Sequence, residues 1–179
     1  MLTKTGLRTG ILSNFNIPLT RNKDWRVINK NGIIHLEKAF ERQSIFTDYY
    51  YFIEDFLTCL YDRPYSSILC GGLGLGIAPY LSQPFCDTID VIEQDQDLIN
   101  LISGLGYLSP KVNIIQGDMF EYEPQRKYDF ILIDIWQRNS GTFDIEVETL
   151  KNKYEPHMNN GGMMCIPLDY LVGSPCGCK

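Results

Sequence analysis

Apolar residues in the second half of the chain fall into short runs that polar turns separate. Residues 68–70 predict the end of a buried strand, and residues 77–81 predict the helix that follows, with Pro79 tolerated in its first turn. Residues 88–93 predict a second strand, and Asp95 is well placed to cap the next helix. Strands therefore alternate with helices here.

The N-terminal part has a different pattern. Residues 25–36 predict two strands around an Asn31-Gly32 turn, a strong hairpin signal, and this hairpin is expected to cover one edge of a site. Apolar side chains then recur at helical spacing and predict a helix that packs against the sheet. These side chains belong to Phe46, Tyr49, Tyr50, Ile53, Phe56, Leu57 and Leu60. We expect an appendage over residues 1–62 and an α/β domain over residues 63–179.

The joint between the first strand and its helix is rich in glycine, namely Gly71, Gly72, Gly74 and Gly76. Residues without a Cβ permit unusual backbone dihedrals and let a ligand approach the main chain closely. The free N–H groups at a helix start attract polar or anionic groups. Such a joint is either a plain tight turn or the binding loop of a nucleotide-type cofactor.

Glu93 ends the second predicted strand, about twenty residues beyond the first glycines, as in dinucleotide-binding folds. Open α/β sheets bind ligands at the carboxyl ends of their strands. A carboxylate accepts two hydrogen bonds at once, which suits the vicinal hydroxyls of a ribose. The alternative is that Glu93 caps the next helix, but Asp95 is better placed for that. We therefore predict a ribose contact from Glu93.

The glycine spacing argues against a nicotinamide or flavin dinucleotide. That fingerprint needs Gly-x-Gly-x-x-Gly or Ala, but Ile77 and Pro79 occupy the last position when it is counted from Gly72 and Gly74. The chain instead reads Gly-x-Gly-x-Gly, ending at Gly76. This motif resembles the first motif of class I S-adenosylmethionine-dependent methyltransferases, including their spermidine synthase-like branch. The resemblance implies a Rossmann-like, doubly wound α/β sheet and S-adenosylmethionine as the cofactor.

Residues 112–120 continue the resemblance, since they are similar to the third strand and Gly-Asp motif of that family. This implies that Asp118 contacts the adenine amino group, with Met119 beside it. The alternative for Asp118 is a turn residue that bonds its own backbone. The cofactor contacts that we predict in all are Gly71, Gly72, Gly74, Gly76, Glu93, Asp118, Met119 and Asp134.

Residues 128–136 are similar to the fourth strand of the family, whose terminal aspartate borders the reactive end of the cofactor. Asp134 matches that position, and its alternative is an ordinary strand-end cap. We predict catalytic roles for Asp134, which would orient or deprotonate the acceptor, and for Trp136, which would stack on the acceptor or lie near the sulfonium. The alternative for Trp136 is a wall of the pocket.

The composition and net charge of the chain limit the classes of molecule that it is expected to bind. The net charge of −6 disfavours a nonspecific nucleic-acid binder, because phosphate contacts need clustered Lys and Arg. A small molecule or a protein is therefore the expected acceptor. No apolar run reaches membrane-spanning length and no secretion signal is evident, so a cytoplasmic protein with reduced cysteines is expected. We predict no metal.

The C-terminal pattern departs from the family. Residues 144–154 predict a helix, residues 160–162 a turn, and residues 163–166 a fifth strand, after which only a short tail remains. The family continues with another helix and a closing strand pair. An uncovered edge strand is a liability, so a homo-oligomer is expected.

Three functions remain open. The first is methyl transfer to an unidentified small-molecule or protein acceptor. The second is spermidine synthase-like aminopropyl transfer, which is disfavoured because that branch has Asp-x-x-Asp where this chain has Asp134 followed by Gln137. The third is a non-catalytic cofactor-binding or structural protein that keeps the fold without the chemistry.

Overall fold

The N-terminal strands form a small antiparallel sheet. The computed structural model describes residues 17–31, 33–38, 40, 44–47, 59–60, 63–135 and 143–166. The first strands are β1 (Thr20–Arg21), β2 (Trp25–Lys30), β3 (Ile33–Lys38) and β4 (Ser44–Thr47), paired in the order β1-β2-β3-β4. The predicted hairpin of β2 and β3 is confirmed. Asn31 in its turn has a φ of 56°, which asparagine tolerates better than most residues.

The helix predicted from Phe46 onwards is wrong at its start. Phe46 lies in β4, opposite Leu36 of β3. Residues 59–60 are helical, whereas residues 48–58 lie outside the described part of the chain. Aromatic residues suit a strand as well as a helix face, so their spacing alone did not discriminate between the two.

A parallel sheet follows, formed by β5 (Tyr65–Gly71), β6 (Cys86–Glu93), β7 (Val112–Gln116), β8 (Tyr128–Ile133) and β9 (Met158–Cys165). The strand order is β7-β6-β5-β8-β9, and all neighbours are parallel. The helices are α1 (Ile77–Ser82), α2 (Gln96–Ser103) and α3 (Phe143–Tyr154), with short 3-10 helices at Gln83–Phe85 and Glu155–His157. The predicted α/β fold is confirmed. The strand order reverses beside β5, where such sheets bind ligands.

Elements pack on both faces of the parallel sheet. On one face, Ile68 of β5 lies in a buried cluster with Leu101 of α2 and Trp25 of the N-terminal sheet. On the other face, Ile131 of β8 lies in a second cluster with Leu150 of α3. This arrangement is the predicted doubly wound one, and it also makes the N-terminal sheet share its core with the parallel sheet.

The last strand is longer than expected. Because β9 begins at Met158, residues 160–162 lie inside it, and the turn predicted there is wrong. Gly161 has a φ of 74°, and the register against β8 shifts between Tyr128 and Phe130, so the glycines form a bulge rather than a turn. Among the described residues β9 pairs with β8 alone, and the homo-oligomer stays a prediction.

A polar cluster crosses the sheet face where residues 117–127 connect β7 to β8 without a helix. Asp90 of β6 is only 6% exposed. Its carboxylate accepts hydrogen bonds from Arg126 Nη2 at 2.7 Å, the Tyr128 hydroxyl at 2.7 Å and the Asn113 amide at 3.1 Å. A buried carboxylate is tolerated here because cationic and neutral donors surround it.

We expect Asp90→Asn to lower the free energy of unfolding by about 2 kcal/mol, because the Arg126 guanidinium loses its charged acceptor. Urea unfolding measures the change. The matched control is Asp87→Asn on the same strand, where the side chain is exposed and the expected change is below about 0.5 kcal/mol. Equal urea midpoints for the two variants would contradict this account.

The cysteines only partly match the expectation of reduced thiols. Cys70 and Cys86 have free thiols and are buried, as is Cys59, and burial raises the pKa of Cys86 to about 11, so its thiol stays protonated. Cys165 is disulfide-bonded, so the expectation is wrong at that position. Cys176 and Cys178 lie outside the described residues.

The same described ranges lack two features, a membrane-spanning helix and a cluster of metal-ligating side chains. None of their helices is both long and apolar enough to cross a membrane. They also contain no group of three or more His, Cys, Asp or Glu side chains placed to hold a metal ion.

Candidate functional site

The glycine loop lies at the carboxyl end of β5, between the ends of β6 and β8. The Gly72 N–H donates to the Ile92 carbonyl at 2.9 Å, and the Asp134 N–H donates to the Gly71 carbonyl at 2.9 Å. Gly72 has a φ of 88°, and a Cβ built there would lie 3.2 Å from the Asp134 carbonyl carbon and closer still to its oxygen. Only glycine fits this position, because the loop passes directly against the end of β8.

The other predicted glycines lie in the same turn. Gly74 and Gly76 have φ values of 50° and 70°, and Gly76 precedes α1 as its N-terminal cap residue. The Gly76 N–H donates to the Leu73 carbonyl at 2.7 Å, which closes the turn. The structure therefore brings all four predicted glycines together at one edge of the sheet.

Glu93 is held from two sides at the end of β6. Its Oε2 accepts a hydrogen bond from the Leu73 N–H of the glycine loop, and its Oε1 accepts one from the Asp95 N–H, both at 3.0 Å. Asp95 caps α2, since its Oδ1 accepts from the N–H groups of Asp97 and Leu98. The predicted cap is confirmed, and the alternative that Glu93 caps this helix is wrong. A carboxylate has about four lone-pair sites, so two remain for a ligand.

Asp118 is exposed just beyond the end of β7, beside Glu93. The Gly117 N–H donates to the Glu93 carbonyl at 3.0 Å, which ties the two strand ends together. The Asp118 Oδ1 accepts from the Phe120 N–H at 2.8 Å. This is the turn geometry considered from the sequence, and it sets the direction of the carboxylate. The adenine contact of Asp118 stays a prediction.

Met119 packs beneath the loop. Its side chain is 3% exposed, and a Cβ on Gly71 would lie 2.9 Å from its Cε. The Tyr154 hydroxyl of α3 donates to the Met119 carbonyl at 2.8 Å. The Met119 side chain therefore supports the glycine loop from below, and its predicted contact with a cofactor is untested.

Asp134 follows β8 directly and lies half-buried against the glycine loop. Loss of solvent on burial raises the pKa of its carboxyl to about 6. A carboxyl group of this kind changes charge just below neutral pH, which suits a group that exchanges a proton. Trp136 and Gln137 lie outside the described residues, so the stacking role of Trp136 stays a prediction.

Trp25, which no sequence pattern marks as a site residue, connects the N-terminal sheet to this edge. Its indole N–H donates to Asp95 Oδ2 at 2.9 Å, and Asn22 Nδ2 donates to the Asp97 carbonyl at 2.8 Å. The hairpin thus contacts the turn after β6. No local pattern relates Trp25 to Asp95, because 70 positions separate them and only the fold brings them together.

Two open clefts lie elsewhere, toward the amino-terminal ends of the strands. One of about 570 Å³ is lined by residues that include Arg63, Ser66 and Lys111, and one of about 640 Å³ by residues that include Asn113 and Arg126. Neither is lined by a predicted site residue. The glycine loop and the strand-end carboxylates, which carry the chemical groups, define the candidate site instead.

Several solved structures similar to this chain are methyltransferases. The N-methyltransferase NodS from Bradyrhizobium japonicum WM9 matches 62% of this chain and 62% of its own, with a TM-score of 0.53 and 15% identity. CalS10, an amino pentose methyltransferase from Micromonospora echinaspora, matches 66% of this chain and 51% of its own, with a TM-score of 0.52 and 17% identity. Each match spans less than two thirds of the other protein.

A third match is the ribosomal protein L11 methylase from Lactobacillus delbrueckii subsp. bulgaricus, with a TM-score of 0.51, 12% identity, and coverage of 64% of this chain and 58% of its own. No protein-family model and no curated protein matches the sequence. The structural likenesses show the fold, which is the Rossmann-like fold of class I methyltransferases.

Proposed function

We propose that this protein is an S-adenosylmethionine-dependent methyltransferase that acts on a small-molecule or protein acceptor. The observation that carries the proposal is the position of Glu93, whose carboxylate is hydrogen-bonded to the glycine loop and to the turn after β6 in a sheet with the class I fold. NodS has been solved with S-adenosylhomocysteine and CalS10 with S-adenosylmethionine. Their shared fold supports the same cofactor here.

The residues at this sheet edge fit the groups of that cofactor. Glu93 has lone pairs for the two ribose hydroxyls, and Asp118 is an exposed acceptor for the adenine amino group. Gly72, Gly74 and Gly76 carry no side chain, which lets a ligand approach the main chain of the loop closely. With Asp134, three carboxyl groups lie at strand ends on one side, and such a grouping favours a cationic ligand.

When bound, S-adenosylmethionine supplies a methyl group on a sulfonium that leaves as a neutral thioether. The chain must therefore hold the acceptor in line and accept a proton, with no need for a covalent nucleophile. The Asp134 carboxylate would take the proton that an amine or hydroxyl acceptor loses as its lone pair forms the new bond to carbon. Trp136 would stack on that acceptor.

The raised pKa of Asp134 predicts how methyl transfer depends on pH. Protonated Asp134 has no lone pair for the acceptor's proton, so the rate should rise with pH through about 6 and level off above 7. We expect Asp134→Asn to lower kcat by about 100-fold or more and to remove this dependence. Rates measured with excess cofactor over pH 5 to about 8 provide the test. An unchanged profile in the variant would exclude the base role.

The pH dependence of the folding stability gives a second test of the raised pKa of Asp134. The pKa of an aspartate in an unfolded chain is about 3.9, so folding raises the pKa of Asp134. The folded state then holds the proton more tightly, and the stability from Asp134 is full below about pH 4 and is lost as pH rises through about 6. Relative to wild type, Asp134→Asn should be more stable at pH 7 than at pH 4, as thermal unfolding would measure.

Calorimetric titration tests the proposed function directly. The wild-type protein should bind S-adenosylmethionine and S-adenosylhomocysteine. Preference for decarboxylated S-adenosylmethionine would favour aminopropyl transfer instead. Binding without methyl transfer to any acceptor in a screen of amines, hydroxyl compounds and proteins would favour a non-catalytic cofactor-binding protein. Absence of binding to all three compounds would overturn the proposal.

A further inference from the structure

A run of hydrogen bonds leads from the N-terminal sheet to the glycine loop. The Trp25 indole N–H donates to the Asp95 carboxylate at 2.9 Å. The Asp95 backbone N–H donates to Glu93 Oε1, and the Leu73 N–H of the glycine loop donates to Glu93 Oε2, both at 3.0 Å. Three segments that are distant in sequence therefore meet around the Glu93 carboxylate.

Asp95 depends on Trp25 for its second partner. One carboxylate oxygen, Oδ1, is engaged by the N–H groups at the start of α2, and the other, Oδ2, accepts from the indole. Hydrogen bonds to a charged acceptor are stronger than neutral ones, and Trp25 is 4% exposed, so water does not readily replace its indole. The indole thereby restricts the Asp95 side chain and the backbone N–H that orients Glu93.

Asn22 reinforces the same contact. Its side-chain amide donates to the Asp97 carbonyl at 2.8 Å, while its Oδ1 accepts from the backbone N–H of Trp25 at 2.7 Å. The turn between β1 and β2 is therefore attached both to the first turn of α2 and to Trp25. These contacts hold the start of β2 and the turn after β6 in one arrangement.

We infer that Trp25 is a positioning residue of the cofactor site and that the N-terminal sheet is thereby part of that site. The inference rests on the proposed function and goes beyond it, because it assigns a role to a segment outside the parallel sheet. Trp25 acts through Asp95 on Glu93 and so on recognition of the ribose hydroxyls. By linkage, a bound cofactor must stabilise the docking of the N-terminal sheet to the same extent.

The test compares the affinities of two ligands, S-adenosylhomocysteine and its 2′-deoxyribose analogue, by calorimetry. In the wild type the analogue should bind at least about tenfold more weakly, because one hydrogen bond to a charged carboxylate is lost. Trp25→Phe keeps a large apolar ring but removes the N–H. We expect this variant to bind S-adenosylhomocysteine about tenfold more weakly than the wild type does, with a smaller loss of affinity for the analogue. The ratio of the two affinities therefore falls.

Tyr65→Phe is the matched control. It also removes a donor from a buried aromatic ring, since the Tyr65 hydroxyl donates to the Cys59 carbonyl at 2.6 Å. Tyr65 starts β5, about 20 Å of strand from the glycine loop. This variant should lose stability and keep the wild-type affinity ratio. An equal fall of the ratio in both variants would mean that Trp25 has only a structural role.

If Trp25→Phe does not fold, an NMR measurement on protein that keeps Trp25 still tests the inference. The chain has two tryptophans, so the indole N–H signal of the wild type that persists in Trp136→Phe belongs to Trp25. That signal should shift in the NMR spectrum on saturation with S-adenosylhomocysteine. If the wild type binds but neither the signal nor the affinity ratio moves, the inference is overturned while the proposed function stands. If the wild type does not bind, the proposed function itself fails.

Discussion

Replacing Gly72 by alanine is expected to abolish measurable cofactor binding and to lower the free energy of unfolding by about 2–5 kcal/mol. Two costs add. A left-handed backbone costs a residue with a Cβ about 1–2 kcal/mol, and Gly72 has a φ of 88°. The new methyl group would also overlap the Asp134 carbonyl, and such overpacking costs about 1–3 kcal/mol. Urea unfolding and calorimetry measure the two effects.

Gly106→Ala separates these costs. Gly106 has a φ of 75°, yet nothing lies within 4 Å of a Cβ built there, so only the backbone cost of about 1–2 kcal/mol remains. This control should keep cofactor binding. If the two variants lose equal stability, the loop does not press against the end of β8. If Gly72→Ala binds S-adenosylhomocysteine as well as the wild type does, the glycine loop is only a structural turn.

Glu93→Gln is expected to lower the affinity for S-adenosylhomocysteine by about 10- to 100-fold. The amide keeps the size of the side chain but has one carbonyl oxygen, whereas the N–H groups of Leu73 and Asp95 each need an acceptor. The amide nitrogen would then face one of these donors, and an unsatisfied donor costs about 1–3 kcal/mol. The charge that we propose binds the ribose hydroxyls is also lost.

The matched control is Asp87→Asn, which removes an exposed carboxylate from the opposite end of the same strand. It changes the net charge by the same amount, so any effect of overall protein charge on binding of S-adenosylhomocysteine appears in both variants. Calorimetry at one ionic strength makes the comparison, since salt screens such effects. Equal losses of affinity in the two variants would refute a specific ribose contact. If both variants keep the wild-type affinity, the cofactor binds at another site.

The parallel sheet was predictable because its strands are short apolar runs that end in polar turns. Buried parallel strands need apolar residues on both faces, so their pattern is local and visible in the sequence. The hairpin around Asn31 was predictable for a similar reason, since a tight turn needs residues that tolerate left-handed dihedrals. The strand at Phe46 and the bulge at Gly161 were not, because pairing with a neighbouring strand of the sheet decided both.

The candidate site divides in the same way. Residue types and spacing were enough to name the glycines and Glu93, and the resemblance to class I methyltransferases named Asp118 and Asp134. The structure places all of them at one edge of the sheet. Three other features depend on neighbours from other strands or on burial. They are the hydrogen bond from the glycine loop to Glu93, the packing of Met119 beneath the loop and the raised pKa of Asp134. None of these has a local pattern, so none was visible beforehand.

The sequence alone determined the α/β architecture and the chemical types at the ends of its strands, because both depend on local periodicity and on glycines at one turn. Only the tertiary structure decided that Trp25 lies within hydrogen-bonding distance of Asp95, and that Gly72 has no room for a side chain beside Asp134. Contacts of this kind are set by how distant segments pack, since hydrogen bonding and excluded volume act on positions in space, whatever their separation along the chain.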